Sequence, residues 1–279
     1  MWNKRLCLSV NRQFGIPAEE QIKLFKTAGF DGFFVCWGEG DNIEACAKLG
    51  EELGMIFQSI HAPFTKAADM WGDDEEAGEI ALNEQLACLA DCVKYNVPIM
   101  VVHAFIGFED HNPTQKGIER FGKLVAAAEK TNVKLAFENT EGEEYLAALM
   151  DAFKDSKSVG FCWDTGHEMC YNHSQDLLAL YGDRLIATHI NDNLGIRSFE
   201  GNIFWHDDLH LLPFDGIADW DGICARLDRH NYTGIMTFEL NTLSKPNRHE
   251  NDKYSQMPIE QYIAECFNRA CRVAAKRKI

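Results

Sequence analysis

Nine side chains able to ligate a metal or move a proton stand at the ends of short apolar runs, or in the loop beside them. They are His61 in SIHAP, His103 in VVHAF, Glu138 in AFEN, Asp164 and His167 in FCWDTGH, His189 in THIND, Asp208 and His210 in HDDLH, and Glu239 in TFEL. Imidazoles and carboxylates carried inward by apolar runs are costly unless they are paired or hold a cation. Each residue also has an ordinary reading of its own. His61 fits a satisfied structural histidine, and Asp164 fits a cap for the turn that follows. Glu138 is harder to explain that way, because glutamate is rarely buried unpaired. Together the nine point to metal binding. Nitrogen mixed with carboxylate oxygen suits zinc, manganese, cobalt or iron better than calcium.

Such residues converge only if the elements carrying them share one end of a fold. Apolar runs alternate with helical patterns along the chain. RLCLSV (5–10) precedes a helix at 17–29, with Pro17 in its first turn. GFFVCW (32–37) precedes 42–54, IFQSIHAP (56–63) precedes 79–96, and IMVVHAF (99–105) precedes about 114–131. KLAFENT (134–140) precedes 143–154, and VGFCWDTGH (159–167) precedes 174–182, with Ser174 as its cap. LIATHIND (185–192) leads through a long loop to 217–231, and GIMTFEL (234–240) to a last helix at about 257–275. Strands that are apolar almost throughout, with helices between them, are parallel and covered. Eight such units predict a single-domain (β/α)8 TIM barrel over residues 1–279, with the C-terminal strand ends forming the active mouth. A doubly wound open sheet is the alternative, but LSVNRQFG after the first strand is not a glycine-rich phosphate loop. Within FCWDTGH, Gly166 is expected to let the chain turn tightly between its two ligands.

Composition narrows the function. The formal charge is −16, from 27 basic and 43 acidic residues. The loop DMWGDDEEAGE (69–79) adds to an acidic rim, and this disfavours a nucleic-acid partner. No apolar stretch approaches a membrane span and no secretory signal is visible, so a cytoplasmic enzyme is expected. The ten cysteines are scattered without a C-x-x-C, which fits reduced, buried thiols. Trp37, Phe64, Trp71, Phe105, Phe108, Phe204 and Trp205 fall in loops near strand ends, where rings beside polar groups suit the faces of a sugar or polyol. Trp37, His61 and His103 are therefore candidates for substrate contact. His111, His173, His230 and His249 are expected in solvent, and His206 is ambiguous.

The order of SIHAP, VVHAF, AFEN, FCWDTGH, THIND, DDLHLLPFDGIADW and TFEL resembles the xylose-isomerase-like barrel superfamily over essentially the whole chain. That group holds sugar isomerases, ketose 3-epimerases, inosose-processing enzymes and apurinic-site nucleases of the endonuclease IV type. In the isomerase and epimerase branch, the resemblance implies one divalent metal (Zn, Mn, Co or Mg) on Glu138, Asp164, His189 and Glu239. The two glutamates then move protons through a metal-stabilised enediolate, and His167 and Arg197 bind substrate. In the nuclease branch it implies three zinc ions and a phosphoester substrate, with all nine residues as ligands. LPFDGIADW resembles the family's PG-x-G turn, with Phe214 and Asp215 in place of the first glycine and its neighbour. The reading favoured here is a sugar, sugar phosphate or polyol isomerase or epimerase. A homo-oligomer is compatible with it.

Overall fold

A computed structural model of the chain describes residues 4–38, 41–109 and 112–279. Eight parallel strands follow one another around a ring: β1 Leu6–Ser9, β2 Gly32–Cys36, β3 Ile56–His61, β4 Ile99–His103, β5 Lys134–Glu138, β6 Val159–Asp164, β7 Leu185–His189 and β8 Met236–Phe238. β1 pairs with both β2 and β8, and the chain of neighbours runs unbroken to β7. An isolated parallel bridge between Ile190 and Phe238 brings the two ends together, with the Ile190 N–H on the Thr237 carbonyl at 2.7 Å. This is the expected (β/α)8 barrel.

Helices cover it outside: α1 Ala18–Ala28, α2 Ile43–Leu53, α3 Glu75–Lys94, α4 Gln115–Ala128, α5 Glu143–Ala152, α6 Thr165–Cys170, α7 Leu177–Tyr181, α8 Trp220–Arg229, α9 Asp252–Ser255 and α10 Ile259–Ala274. Their inward stripes meet the outward faces of the strands in one large apolar layer, which includes Phe25, Phe33, Leu124, Phe137, Leu149, Leu227 and Tyr262. A smaller cluster, Val101, Ala136, Cys162 and Ala187, stands apart from that layer. Small side chains keep it narrow, and all four residues are buried.

Two local expectations change. Ser174 does not cap a helix: it and His173 both have positive φ (55° and 53°), and α7 starts later, with the Asp176 side chain accepting the Ala179 N–H. His230 is not solvated but half-buried against Gly182, 3.4 Å from Asp183. His173 and His249 are exposed as expected, His206 is half-buried, and His111 lies outside the described residues.

Candidate active site

Strand register assembles the first part of the site. His103 at the end of β4 is the register partner of Glu138 on β5, and Asp164 on β6 is that of His189 on β7. Parallel pairing at a common level turns these ends toward one mouth. Glu138 is fully buried at the centre. Its Oε2 lies 3.2 Å from His61 Nε2 and 3.3 Å from His103 Nε2, and its Oε1 lies 2.7 Å from His189 Nδ1. Glu239, just beyond β8, places Oε2 at 3.1 Å from the same His189 nitrogen. In the long β7–α8 loop, Asp208 Oδ1 is 2.9 Å from His210 Nε2 and 3.5 Å from His167 Nε2.

Donor atoms within 4.8 Å of one another fall into four groups: His61, His103 and Glu138; Glu138, Asp164, His189 and Glu239; His167, Asp208 and His210; and Glu138, Cys162 and His189. Ligand atoms about 2 Å from one ion stand at most about 4 Å apart, so these groups need only a small contraction to close on a metal. All nine predicted residues are thus brought together, and Cys162 is an added neighbour from beneath.

Hydrogen bonds outside the groups set the histidines for this role. His61 Nδ1 donates to the Ala62 carbonyl at 2.8 Å, His167 Nδ1 to the Asn139 carbonyl at 2.9 Å and His210 Nδ1 to the Glu239 carbonyl at 3.2 Å. A carbonyl only accepts, so each of these rings carries a proton on Nδ1 and turns Nε2 inward, where it can ligate a cation once that nitrogen holds no proton of its own. The 2.9 Å approach of His210 Nε2 to Asp208 Oδ1 is not a hydrogen bond, and that buried oxygen has no hydrogen-bond partner. Without a metal the pair is held by charge, and a metal ion between them would take the place of the imidazole proton.

Charge points the same way. Glu138, Asp164 and Glu239 converge, and no Lys or Arg among the described residues forms an ion pair with them. Burial raises the Asp164 carboxyl to about 6, with Glu138 and Glu239 pushing in the same direction against His167 and His210. Burial also disfavours the His210 cation, but Asp208 and Glu239 outweigh it and raise that ring to about 9. For Glu239, burial is outweighed by His189 and His210, and its carboxyl falls to about 2. Burial lowers His103 to about 4 despite its contact with Glu138. The donor set and its surplus of buried carboxylate fit a divalent metal.

Asp164 turns out to be both ligand candidate and cap. Its Oδ1 accepts the His167 N–H at 2.6 Å at the start of α6, and its Oδ2 accepts from Asn191 Nδ2 at 2.9 Å. Gly166 has no positive φ, so its role is not the tight turn expected from sequence. A Cβ there would meet Asn191 Oδ1 at 1.9 Å, and glycine is what lets Asn191 reach Asp164.

A cavity of about 440 Å³ opens above the groups. It is lined by His61, His103, His167, Asp208, His210 and Glu239, by Phe64, Ile106, Phe108, Tyr171 and Trp205, and by Glu141 and Lys245. Trp37 is not on that wall: its indole N–H donates to Asp91 of α3 at 2.7 Å. Arg197 is exposed and outside the lining, with its backbone N–H on Asp207 at 3.3 Å. Trp71 and Phe105 belong to the core, 4% and 1% exposed, and Phe204 is exposed outside the lining. Asp192, beside His189 in sequence, takes the N–H groups of Asn193, Phe214 and Ala218 and the Trp220 indole, and so pins the β7–α8 loop. Phe214, where the family turn has glycine, holds φ at 74°. Its N–H is 2.8 Å from Asp192, and the Arg272 guanidinium lies 4.0 Å over its ring. Glu141 and Lys245 escaped the sequence reading because each follows a polar stretch rather than an apolar run, and Tyr171 because it stands one helical turn past His167 rather than at a strand end.

The chain matches the family model described as xylose isomerase-like TIM barrel over residues 22–258. It belongs to that family. An uncharacterised protein, y4fM, of Sinorhizobium fredii (strain NBRC 101917 / NGR234) is 33% identical over 160 residues, 54% of this chain and 48% of that protein. The chain thus spans about half the length of the curated relative it matches. Among solved structures, the IOLI protein with a zinc atom superposes with a TM-score of 0.77 at 16% identity, covering 98% of both chains. The 3-keto-D-glucoside 4-epimerase YcjR from E. coli gives 0.70 at 17% identity, covering 97% of this chain and 100% of the other. The D-psicose 3-epimerase of Clostridium cellulolyticum H10, solved with D-tagatose, gives 0.71 at 12%, covering 97% and 99%. At these identities the likeness is one of fold.

Proposed function

We propose that this family member is a divalent-metal-dependent sugar or polyol isomerase or epimerase. The observation that carries the reading is the convergence of Glu138, Asp164, His189 and Glu239, with two glutamates on one imidazole nitrogen at the floor of an aromatic-walled cavity. A divalent cation held by these four supplies Lewis-acid polarisation of a carbonyl and its neighbouring hydroxyl. Glu138 or Glu239 then removes the proton from the carbon beside the carbonyl. The other glutamate returns a proton to the opposite face in an epimerisation. In an isomerisation the first returns it to the neighbouring carbon. The two come from β5 and the end of β8, three strands apart around the ring, which suits flanking a small substrate. His167, fixed by Asn139, offers Nε2 to a substrate oxygen from the cavity wall. The names of the two epimerase neighbours agree with this chemistry, and the zinc named with the IOLI neighbour agrees with a bound metal.

The experiment is metal analysis followed by proton exchange. Protein grown without added metal is measured for metal per chain, then incubated with a panel of ketoses in deuterated water. About one metal per chain and deuterium on the carbon beside the carbonyl are expected. A second reading, a three-zinc phosphoesterase, is favoured by one observation: the nine predicted residues fall into three donor groups, two of which share Glu138. Three zinc per chain, no exchange into any ketose, and cleavage of abasic DNA or another phosphodiester would replace the first reading with the second. The acidic balance of the chain weighs against it.

A further inference from the structure

The β5–α5 loop carries an acidic side chain that neither reading uses. Glu141 is 5% exposed and borders the cavity. Its Oε1 accepts the Gly107 N–H at 3.0 Å, and among the described residues no Lys or Arg pairs with it. Burial raises its carboxyl above the ordinary glutamate value, although backbone N–H groups and His167 pull the other way.

The loop around it is built rather than loose. Gly142, the next residue, holds φ at 75°, and a Cβ there would meet the rings of Phe105 and Tyr145 at 2.8 Å. Thr140 Oγ1 donates to the Phe105 carbonyl at 3.2 Å, and Asn172 Nδ2 to the Thr140 carbonyl at 2.9 Å. A carboxyl held at a cavity wall without a cation is expensive to keep there for packing alone. What it offers a ligand is hydrogen bonding to hydroxyls. What it repels, together with Asp208, is an anion. Lys245, the one Lys or Arg on the lining among the described residues, is already 3.3 Å from Asp208 Oδ2.

We propose that Glu141 is a specificity-determining residue that hydrogen-bonds a hydroxyl of an uncharged polyhydroxy ketone, beyond the two oxygens engaged at the Glu138–Glu239 pair. The site accordingly selects free sugars over their phosphates. This inference rests on the sugar reading above.

The test compares wild type, Glu141→Gln and Glu141→Ala, each metal-loaded and assayed for metal content. The panel contains free ketoses, their phosphates and singly deoxygenated analogues. Glu141→Gln keeps an oxygen for the Gly107 N–H, so its fold and metal content stay at the wild-type level. Wild type is expected to prefer a free ketose over one of its deoxy analogues by about 100-fold or more in kcat/KM, because a site built around a hydroxyl rejects the analogue that lacks it. Glu141→Ala is expected to erase most of that ratio through KM, with kcat changed less than about threefold, and Glu141→Gln to reduce it about tenfold as the charge-assisted bond is lost. Should the alanine variant not fold, the glutamine variant decides on the same ratio. A preference that survives in the folded variants, or a wild type that favours phosphates, overturns the inference while leaving the sugar reading intact. A wild type that turns over no member of the panel overturns both.

Discussion

Glu138 and Glu239 meet on a single atom: Oε1 of the first is 2.7 Å, and Oε2 of the second 3.1 Å, from His189 Nδ1. The imidazole, stacked on Phe34 at 4.8 Å, is a fixed post between two carboxylates from distant strands. Proton transfer by a positioned side chain contributes about 10²–10⁴-fold. Glu138→Gln and Glu239→Gln, assayed with metal in excess, are each expected to lower kcat by that order while KM moves only a few-fold. Normal turnover in either variant would remove that glutamate from the acid/base role.

The support of Asp164 predicts a separate effect on metal affinity. Asn191 Nδ2 holds Asp164 Oδ2, and Gly166 leaves room for it. Partners that orient a metal ligand are worth about 10–100-fold in metal affinity. Asn191→Ala should lose that much. Gly166→Ala should do the same indirectly, because its methyl group displaces Asn191, and should also cost about 1–3 kcal/mol of stability. Competition with a chromophoric chelator reads the first effect, and thermal unfolding the second. Wild-type affinity in both variants would mean that Asp164 needs no such support.

The sequence made the barrel and six of the nine donors legible because both are written in apolar runs that end in a polar residue, while His167, Asp208 and His210 were read from their closeness to such residues or to one another. SIHAP, VVHAF and FCWDTGH show where a strand stops and what it delivers. Loop side chains carry no such marker. Arg197 and Trp37 looked inward by position, yet one is exposed and the other is drawn to Asp91. Glu141 and Lys245 sit in polar stretches, and only the folded loops bring them to the cavity. Gly166 was noticed for a real reason but the wrong one. A close approach to a side chain 25 residues away cannot be read from neighbours in sequence.

The metal-free protein should lose stability as pH rises past 6.5, for reasons local to the site. Burial raises Asp164 from 3.8 to about 6, so the folded state binds this proton more tightly than the unfolded state. Its contribution is therefore full below pH 3.8 and lost as pH rises through 6. His210, raised from 6.5 to about 9, acts in the same direction at higher pH. Glu239, lowered to about 2, opposes them only below pH 4.5, and His103, lowered from 6.5 to about 4, opposes Asp164 between those two values. Unfolding of chelator-stripped protein between pH 5 and 8 should show a midpoint that falls above pH 6.5, where His210 acts without opposition from His103, and Asp164→Asn should make the lower half rise with pH relative to wild type. Metal should bind more tightly as pH rises over the same window, because the ligands must shed these protons. A metal-free midpoint that rises with pH across that window in wild type, and equally in Asp164→Asn, would contradict the assignment.

Trp37 supplies the contrast that separates structure from chemistry. Its indole N–H on Asp91 joins the end of β2 to α3, and its ring packs on the core rather than on the cavity wall. Trp37→Phe keeps an aromatic ring and removes one hydrogen bond to a charged group, worth about 1.5–3 kcal/mol. Unfolding should register a loss of about that size, while kcat, KM and metal content stay within about twofold of wild type. A KM raised about tenfold with stability unchanged would instead return Trp37 to the substrate. Because the carboxyl of Asp91 is only half-buried and water can take over its vacated bond, the low end of that range is the expected result.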